Sequence, residues 1–94
     1  MAYAIEITRR AARDLAALPV ADRKRIGRKI DALAGDPRPA NARKLASAED
    51  LFRLRSGDYR VIYQVRDEVL VVLVIMIRHR GSVYEDLERL LRGR

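Results

Sequence analysis

Three arginines flank a tight turn in the segment LFRLRSGDYRVIYQV, residues 51–65, and a second basic cluster, RHRGSVY at residues 78–84, closes on a tyrosine. Guanidinium groups stay charged and present a planar fork of donors, so arginines gathered on one face suit phosphate or carboxylate oxygens. Arg53, Arg55 and Arg60 come from the first segment. Arg78 and Arg80 come from the second, with His79 between them and Tyr84 further on. His79 is the only histidine and the chain has no cysteine. A multi-histidine or thiolate metal centre is therefore excluded, as are disulfides, and neither metal nor cofactor is expected. The plainer alternative is a solvated strand face for the arginines, a packing role at a helix start for Tyr84, and a surface or core-edge position for His79.

A chain of 94 residues has room for one core, so residues 1–94 are expected to form a single domain. The apolar fraction, 49%, is ordinary for a globular protein, and with only five aromatic residues the core must be aliphatic. Twenty basic residues face thirteen acidic ones, a formal net charge of +7. Such a surplus attracts polyanions, nucleic acid first, although it also serves plain solubility. Residues 1–10 do not resemble an export signal, and the longest apolar run, Val69 to Ile77, is well short of the roughly 20 residues that span a bilayer. A soluble, cytoplasmic protein with no membrane contact is expected.

The elements that must carry these side chains follow from periodicity. YAIEI (3–7) alternates and reads as a strand. Thr8 can cap a helix over about 8–18, with Ala11, Leu15 and Leu18 at helical spacing. Pro19 ends it and opens a second helix, whose apolar stripe is Ile26, Ile30 and Leu33; Arg23, Lys24, Arg25, Arg28 and Lys29 cover the rest. Gly35, Pro37 and Pro39 stop that helix, and 36–50 reads as a loop. From Leu51 the period becomes two: a strand, a turn at SGDY, a strand, a turn at RDE, and the apolar strand VLVVLVIMI, expected to be central and covered on both faces. Ser82 and Glu85 form a capping box for a terminal helix over about 83–92. The fold class is α+β, in the order β-α-α-β-β-β-α, with a helical hairpin on a small, mostly antiparallel sheet.

Side chains alternate along a strand, so parity assigns faces. A two-residue loop at Gly57-Asp58 pairs Arg55 with Arg60; moving it to Ser56-Gly57 pairs Arg53 with Arg60. Either register puts Phe52, Leu54, Val61, Tyr63 and Val65 on one face and Arg53, Arg55, Arg60 and Gln64 on the other. The second turn is open: a two- or four-residue loop brings His79 to the face of Arg60, a three-residue loop brings Arg78 and Arg80, and a bulge would release the constraint.

With GDYRVIYQV, the following HR…VY and the upstream AARDLAALP in view, the chain resembles the RelE/ParE superfamily of bacterial and archaeal toxins over nearly its whole length. The resemblance implies a RelE-like endoribonuclease of a type II toxin–antitoxin system, cutting messenger RNA in the ribosomal A site without metal. The alternative within the superfamily is a ParE-like toxin that inhibits DNA gyrase and cuts no RNA; a third possibility is an inactive RNA-binding module. By the same resemblance Arg60 binds the scissile phosphate, Arg80 stabilises the leaving group, and Tyr84 stacks on RNA or acts as general base, with His79 as second candidate. Arg53 matches a lysine of RelE, whereas the basic position two residues earlier is Leu51 here. Arg55, Arg78, Lys29, Arg28 and Lys44 are assigned to RNA binding. The implied partners are messenger RNA, the ribosome and a RelB-like antitoxin with an acidic or amphipathic segment, in a hetero-oligomer with the toxin.

Overall fold

The computed structural model describes residues 2–45 and 50–80. The first strand, β1 (Ala4–Ile7), leads into α1 (Arg9–Ala16) and α2 (Val20–Ala32), followed by β2 (Ala42–Lys44), β3 (Leu51–Ser56), β4 (Tyr59–Arg66) and β5 (Val71–His79). The sheet runs β1-β5-β4-β3-β2. Three of its pairings are antiparallel, and β1 lies parallel to β5. The expected terminal helix over 83–92, with its Ser82–Glu85 box, falls outside the described residues.

Local chemistry explains the boundaries. The Thr8 hydroxyl accepts the Ala11 N–H at 3.1 Å and caps α1. Pro19 precedes the first residue of α2. Ile26, Ile30 and Leu33 of α2 meet Phe52, Leu54, Val61, Tyr63 and Val65 of the sheet, together with Val72, Val74 and Ile77. That is the apolar face expected from parity. β5 is internal, as its composition requires, with β4 as the middle strand. On the far face Ile62 and Met76 are fully buried, with Leu45 and Ile75 packed beside them.

Residues 36–45 are more structured than their sequence suggests. β2 lies among them, an edge strand paired to β3 through Ala42–Leu54, Arg43–Arg53 and Lys44–Phe52. The Tyr63 hydroxyl donates to the Pro37 carbonyl at 2.8 Å, and the Arg38 guanidinium lies 5.4 Å from the centre of the Phe52 ring. The preceding residues are thus tied to the sheet by contacts from distant strands, which no local pattern announces.

Candidate nucleic-acid interface

Of the two hairpin registers, the structure adopts the one that pairs Arg55 with Arg60 and Leu54 with Val61. Gly57 leads the two-residue loop at φ 59°, a backbone region that costs an L side chain about 1–2 kcal/mol. The guanidinium of Arg25 would lie 2.8 Å from a Cβ at this position. The positive φ is what favours glycine here, since the tip of the Arg25 side chain could shift to make room. The Arg25 Nε also donates to the buried Ser56 hydroxyl at 3.3 Å, which fixes the turn to α2.

The second turn is a four-residue loop, since Arg66 pairs with Val71. By parity alone that loop would bring His79 to the face of Arg60. Between Ile62 and Tyr63 the register shifts by one, because Tyr63 pairs with Val74 and Ile62 with Met76, leaving Ile75 as an extra residue in β5. The bulge reverses the parity of everything beyond it. Arg78 therefore stands opposite Arg60, and His79 stands opposite Tyr59 on the helix-covered side.

Arg55, Arg60 and Arg78 consequently form one row across three adjacent strands, each directly opposite the next. Strand spacing of about 4.8 Å makes the row about 10 Å long at the backbone. Arg53 follows on the same face, two residues along from Arg55 and opposite Ile62. Arg43 of β2, opposite Arg53, extends the basic face to the sheet edge. It escaped sequence reasoning because β2 itself did.

Like charges placed opposite each other cost roughly 0.2–1 kcal/mol per pair, and the structure offsets this locally. Arg60 donates to the carbonyls of Gly57 at 3.2 Å and Tyr59 at 3.1 Å. Arg78 reaches the sheet edge, where its Nη1 lies 2.6 Å from Oδ1 of Asp14. Oδ2 of Asp14 accepts the Ile77 N–H at 3.0 Å. One carboxylate from α1 thus serves an edge amide of β5 and positions the Arg78 side chain. The contact spans 64 residues of sequence, so no local signal revealed Asp14.

The remaining candidates are dispersed. Arg80 lies just past β5, its N–H donating to the Asp58 carbonyl at 2.7 Å and its Nε 3.9 Å from Asp58 Oδ1, so it sits against the β3–β4 turn. His79 meets Tyr59 edge to face at 5.8 Å. Lys44 pairs opposite Phe52 and so belongs by register to the helix-covered side. Arg28 and Lys29 are on α2, across the sheet from the row; Lys29 lines a cavity of about 250 Å³ near Leu33 and Leu54. These three do not share the arginine face. Tyr84 lies outside the described residues. Leu51, noted above as a departure from the resemblance, is 1% exposed, so it packs rather than meets solvent.

The clearest pKa displacements lie elsewhere. Burial pushes the Tyr63 hydroxyl up to about 12. Near the β4–β5 loop, the Arg38 guanidinium and the Tyr3 hydroxyl hold the Asp67 carboxyl below its ordinary value, through contacts of 2.6 Å and 2.5 Å respectively.

Residues 5–84 match the family model described as the ParE toxin of type II toxin–antitoxin systems, parDE. The chain is 36% identical over 96 residues to the mRNA interferase toxin RelE of Escherichia coli strain K12, covering 97% of this chain and all of that protein. It is similar in structure to the RelE of an archaeal RelE–RelB complex from Pyrococcus horikoshii OT3, with a TM-score of 0.78 and 34% identity, over 86% of this chain and 98% of that one. A mutant of E. coli RelE in the free state gives a TM-score of 0.78 and 33% identity over 98% of both chains. No helix among the described residues is long and apolar enough to cross a membrane. With an α+β fold and an arginine face built as described, and with close homology to the RelE mRNA interferases, the chain belongs to the RelE/ParE family of type II toxin–antitoxin toxins.

Proposed function

We propose that the protein is a ribosome-dependent endoribonuclease that cuts messenger RNA in the A site, and that the face bearing Arg53, Arg55, Arg60 and Arg78 receives the RNA. The observation that carries this reading is the row of Arg55, Arg60 and Arg78 on three neighbouring strands. Identity to proteins named mRNA interferases favours it over the gyrase-inhibiting alternative.

The reaction is attack of an RNA 2′-oxygen on the adjacent phosphorus. The new O2′–P bond forms as the P–O5′ bond breaks, giving a 2′,3′-cyclic phosphate and a 5′-hydroxyl. The 2′-hydroxyl proton goes to a base and a proton is supplied to O5′. Charge accumulates on the non-bridging oxygens in the transition state. Arg60 at the centre of the row, with Arg55 and Arg78 beside it, supplies rigidly held donors for that charge. Tyr84 is the proposed base, assigned from the family match. His79, the alternative base, stands by register on the helix-covered side rather than in the row, which favours Tyr84, and Arg80 at the turn stabilises the leaving oxygen. A RelB-like antitoxin would bind the toxin and neutralise it in the cytoplasm; the archaeal RelE of similar fold is held in a RelE–RelB complex.

The test is direct. Wild-type protein added to ribosomes carrying message should produce A-site cuts with 5′-hydroxyl ends, and Arg60→Ala should cut about 100- to 1,000-fold more slowly, the loss typical of one transition-state donor. Intact message at high protein concentration, or an Arg60→Ala variant as active as wild type, rejects the proposal. Stabilised DNA breaks in a gyrase supercoiling assay would install the alternative.

A further inference from the structure

A second basic site lies around the sheet edge from the row. β1 pairs with β5 only as far as Val74, leaving the remaining edge of β5 without a strand among the described residues. The first turns of α1 take its place. Thr8 N–H donates to the Val74 carbonyl at 3.0 Å, the Thr8 hydroxyl donates to the Ile75 carbonyl at 2.8 Å, and Asp14 takes the Ile77 N–H. Between helix and strand a groove of about 500 Å³ remains, lined by Arg9, Arg10, Arg13, Asp14 and Arg78.

Among the described residues, four arginines and one carboxylate line this groove, and that carboxylate is engaged by Arg78 and the Ile77 amide. Arg9 and Arg13 are exposed and stand four residues apart on α1. Like charges at that spacing weaken a helix by a few tenths of a kcal/mol. Arg78 belongs to both places: its backbone lies in the row opposite Arg60, and its guanidinium lines the groove. Arg78 therefore links the row to the groove.

We propose that this groove is a second phosphate site, in which Arg9 and Arg13 hold the backbone of the message strand one or two phosphates from the cut. The inference rests on the nuclease reading for the identity of the strand. A phosphodiester chain fits the groove because it repeats its charge along its length, as the arginines do from Arg60 through Arg78 to Arg13. Ribosomal RNA shares the same chemistry; the continuity through Arg78 favours the message.

The probe is a fluorescein-labelled RNA dodecamer made uncleavable by 2′-O-methyl groups, titrated by anisotropy in a potassium chloride series. Each phosphate contact to a single strand contributes about −0.7 to the slope of log K against log salt. The double variant Arg9→Ala/Arg13→Ala should be shallower by about 1.4, a rise in Kd of about 25-fold at 0.1 M salt from a common 1 M intercept. Arg9→Lys/Arg13→Lys should keep the wild-type slope. An unchanged slope in the alanine variant, or no binding by the wild type, overturns the site. So does a variant that keeps its RNA slope but loses affinity for message-free ribosomes or for an acidic antitoxin peptide, each of which assigns the groove elsewhere. Cleaving protein with an unchanged slope loses this inference alone; a protein that cuts nothing yet shows the shallower slope keeps the groove and loses the nuclease reading.

Discussion

Asp14 shows how a single residue can matter without touching the proposed substrate. Its carboxylate is 12% exposed and bridges the Ile77 amide and the Arg78 guanidinium. Replacing it by Asn keeps an acceptor for the amide and removes the charge that holds Arg78. Asp14→Asn should lower unfolding free energy by about 1.5–3 kcal/mol, the range for a hydrogen bond to a charged group, measured by urea denaturation; an unchanged midpoint would mean that Asp14 does not hold the edge. Tyr63 offers a test by pH. Its pKa rises from 10.0 to about 12 because the hydroxyl is buried. Between those values the folded state retains a proton that the unfolded chain has released, so stability is fully present below about pH 10 and falls as pH climbs towards 12. Tyr63→Phe should flatten that part of the curve. At pH 7 it should cost about 1–3 kcal/mol, since it strands the Pro37 carbonyl that the hydroxyl now satisfies. An alkaline stability profile identical to wild type would remove Tyr63 as its source.

At the scale of elements, the hairpin was legible and the bulge was not. Alternation of Phe52, Leu54, Val61 and Tyr63 with Arg53, Arg55 and Arg60 fixes the two faces, because both permitted turns preserve parity. The glycine marks the turn but permits two positions for it, and the strand pairing decides for Gly57-Asp58. Gly57→Ala should destabilise by about 1–2 kcal/mol from the φ of 59° alone, while the tip of the Arg25 side chain shifts to make room; a neutral result in thermal melts would show that the turn relaxes freely. By contrast, the extra residue at Ile75 lies in an unbroken apolar strand, where no change of residue type marks it. That invisibility left His79 and Arg78 interchangeable in the sequence, and only the paired strand decides between them. β2 was missed for a related reason. Its three residues are an edge defined by β3, and the Pro37 and Arg38 contacts that anchor its approach come from strands far along the chain. The contacts around Asp67 belong to the same class. Arg38 and Tyr3 lower its carboxyl pKa, so its NMR titration midpoint should lie below the ordinary Asp value and move back up in Arg38→Ala. The stabilising contribution is present above the unfolded-state value and disappears as pH falls through the folded one.

For the molecule as a whole, the helical hairpin, the β3–β4–β5 meander and the packing of helices on the sheet could be read because each helix shows one apolar stripe and the sheet an apolar face towards it. The parallel pairing of β1 with β5 could not, since it joins the two ends of the described chain and neither strand specifies its neighbour. That pairing nevertheless creates the proposed function's geometry: by ending at Val74 it leaves the edge to α1, and so brings Asp14 to Arg78. It also concentrates arginines from both halves of a chain with net charge +7. Charge of one sign on a small body destabilises the compact state and strengthens its attraction to polyanions, and salt acts on the two effects oppositely. Raising ionic strength from 0.01 to 0.15 M shortens the screening length from about 30 to 8 Å. The melting temperature of the free protein should therefore rise across this range while its affinity for RNA falls. The Arg60→Ala variant should show a smaller thermal gain than wild type, having one fewer like charge in the row. A melting temperature that falls with salt would mean that favourable ion pairs such as Arg78–Asp14 outweigh the repulsion, and that the arginine face carries no electrostatic cost for a bound phosphate to relieve.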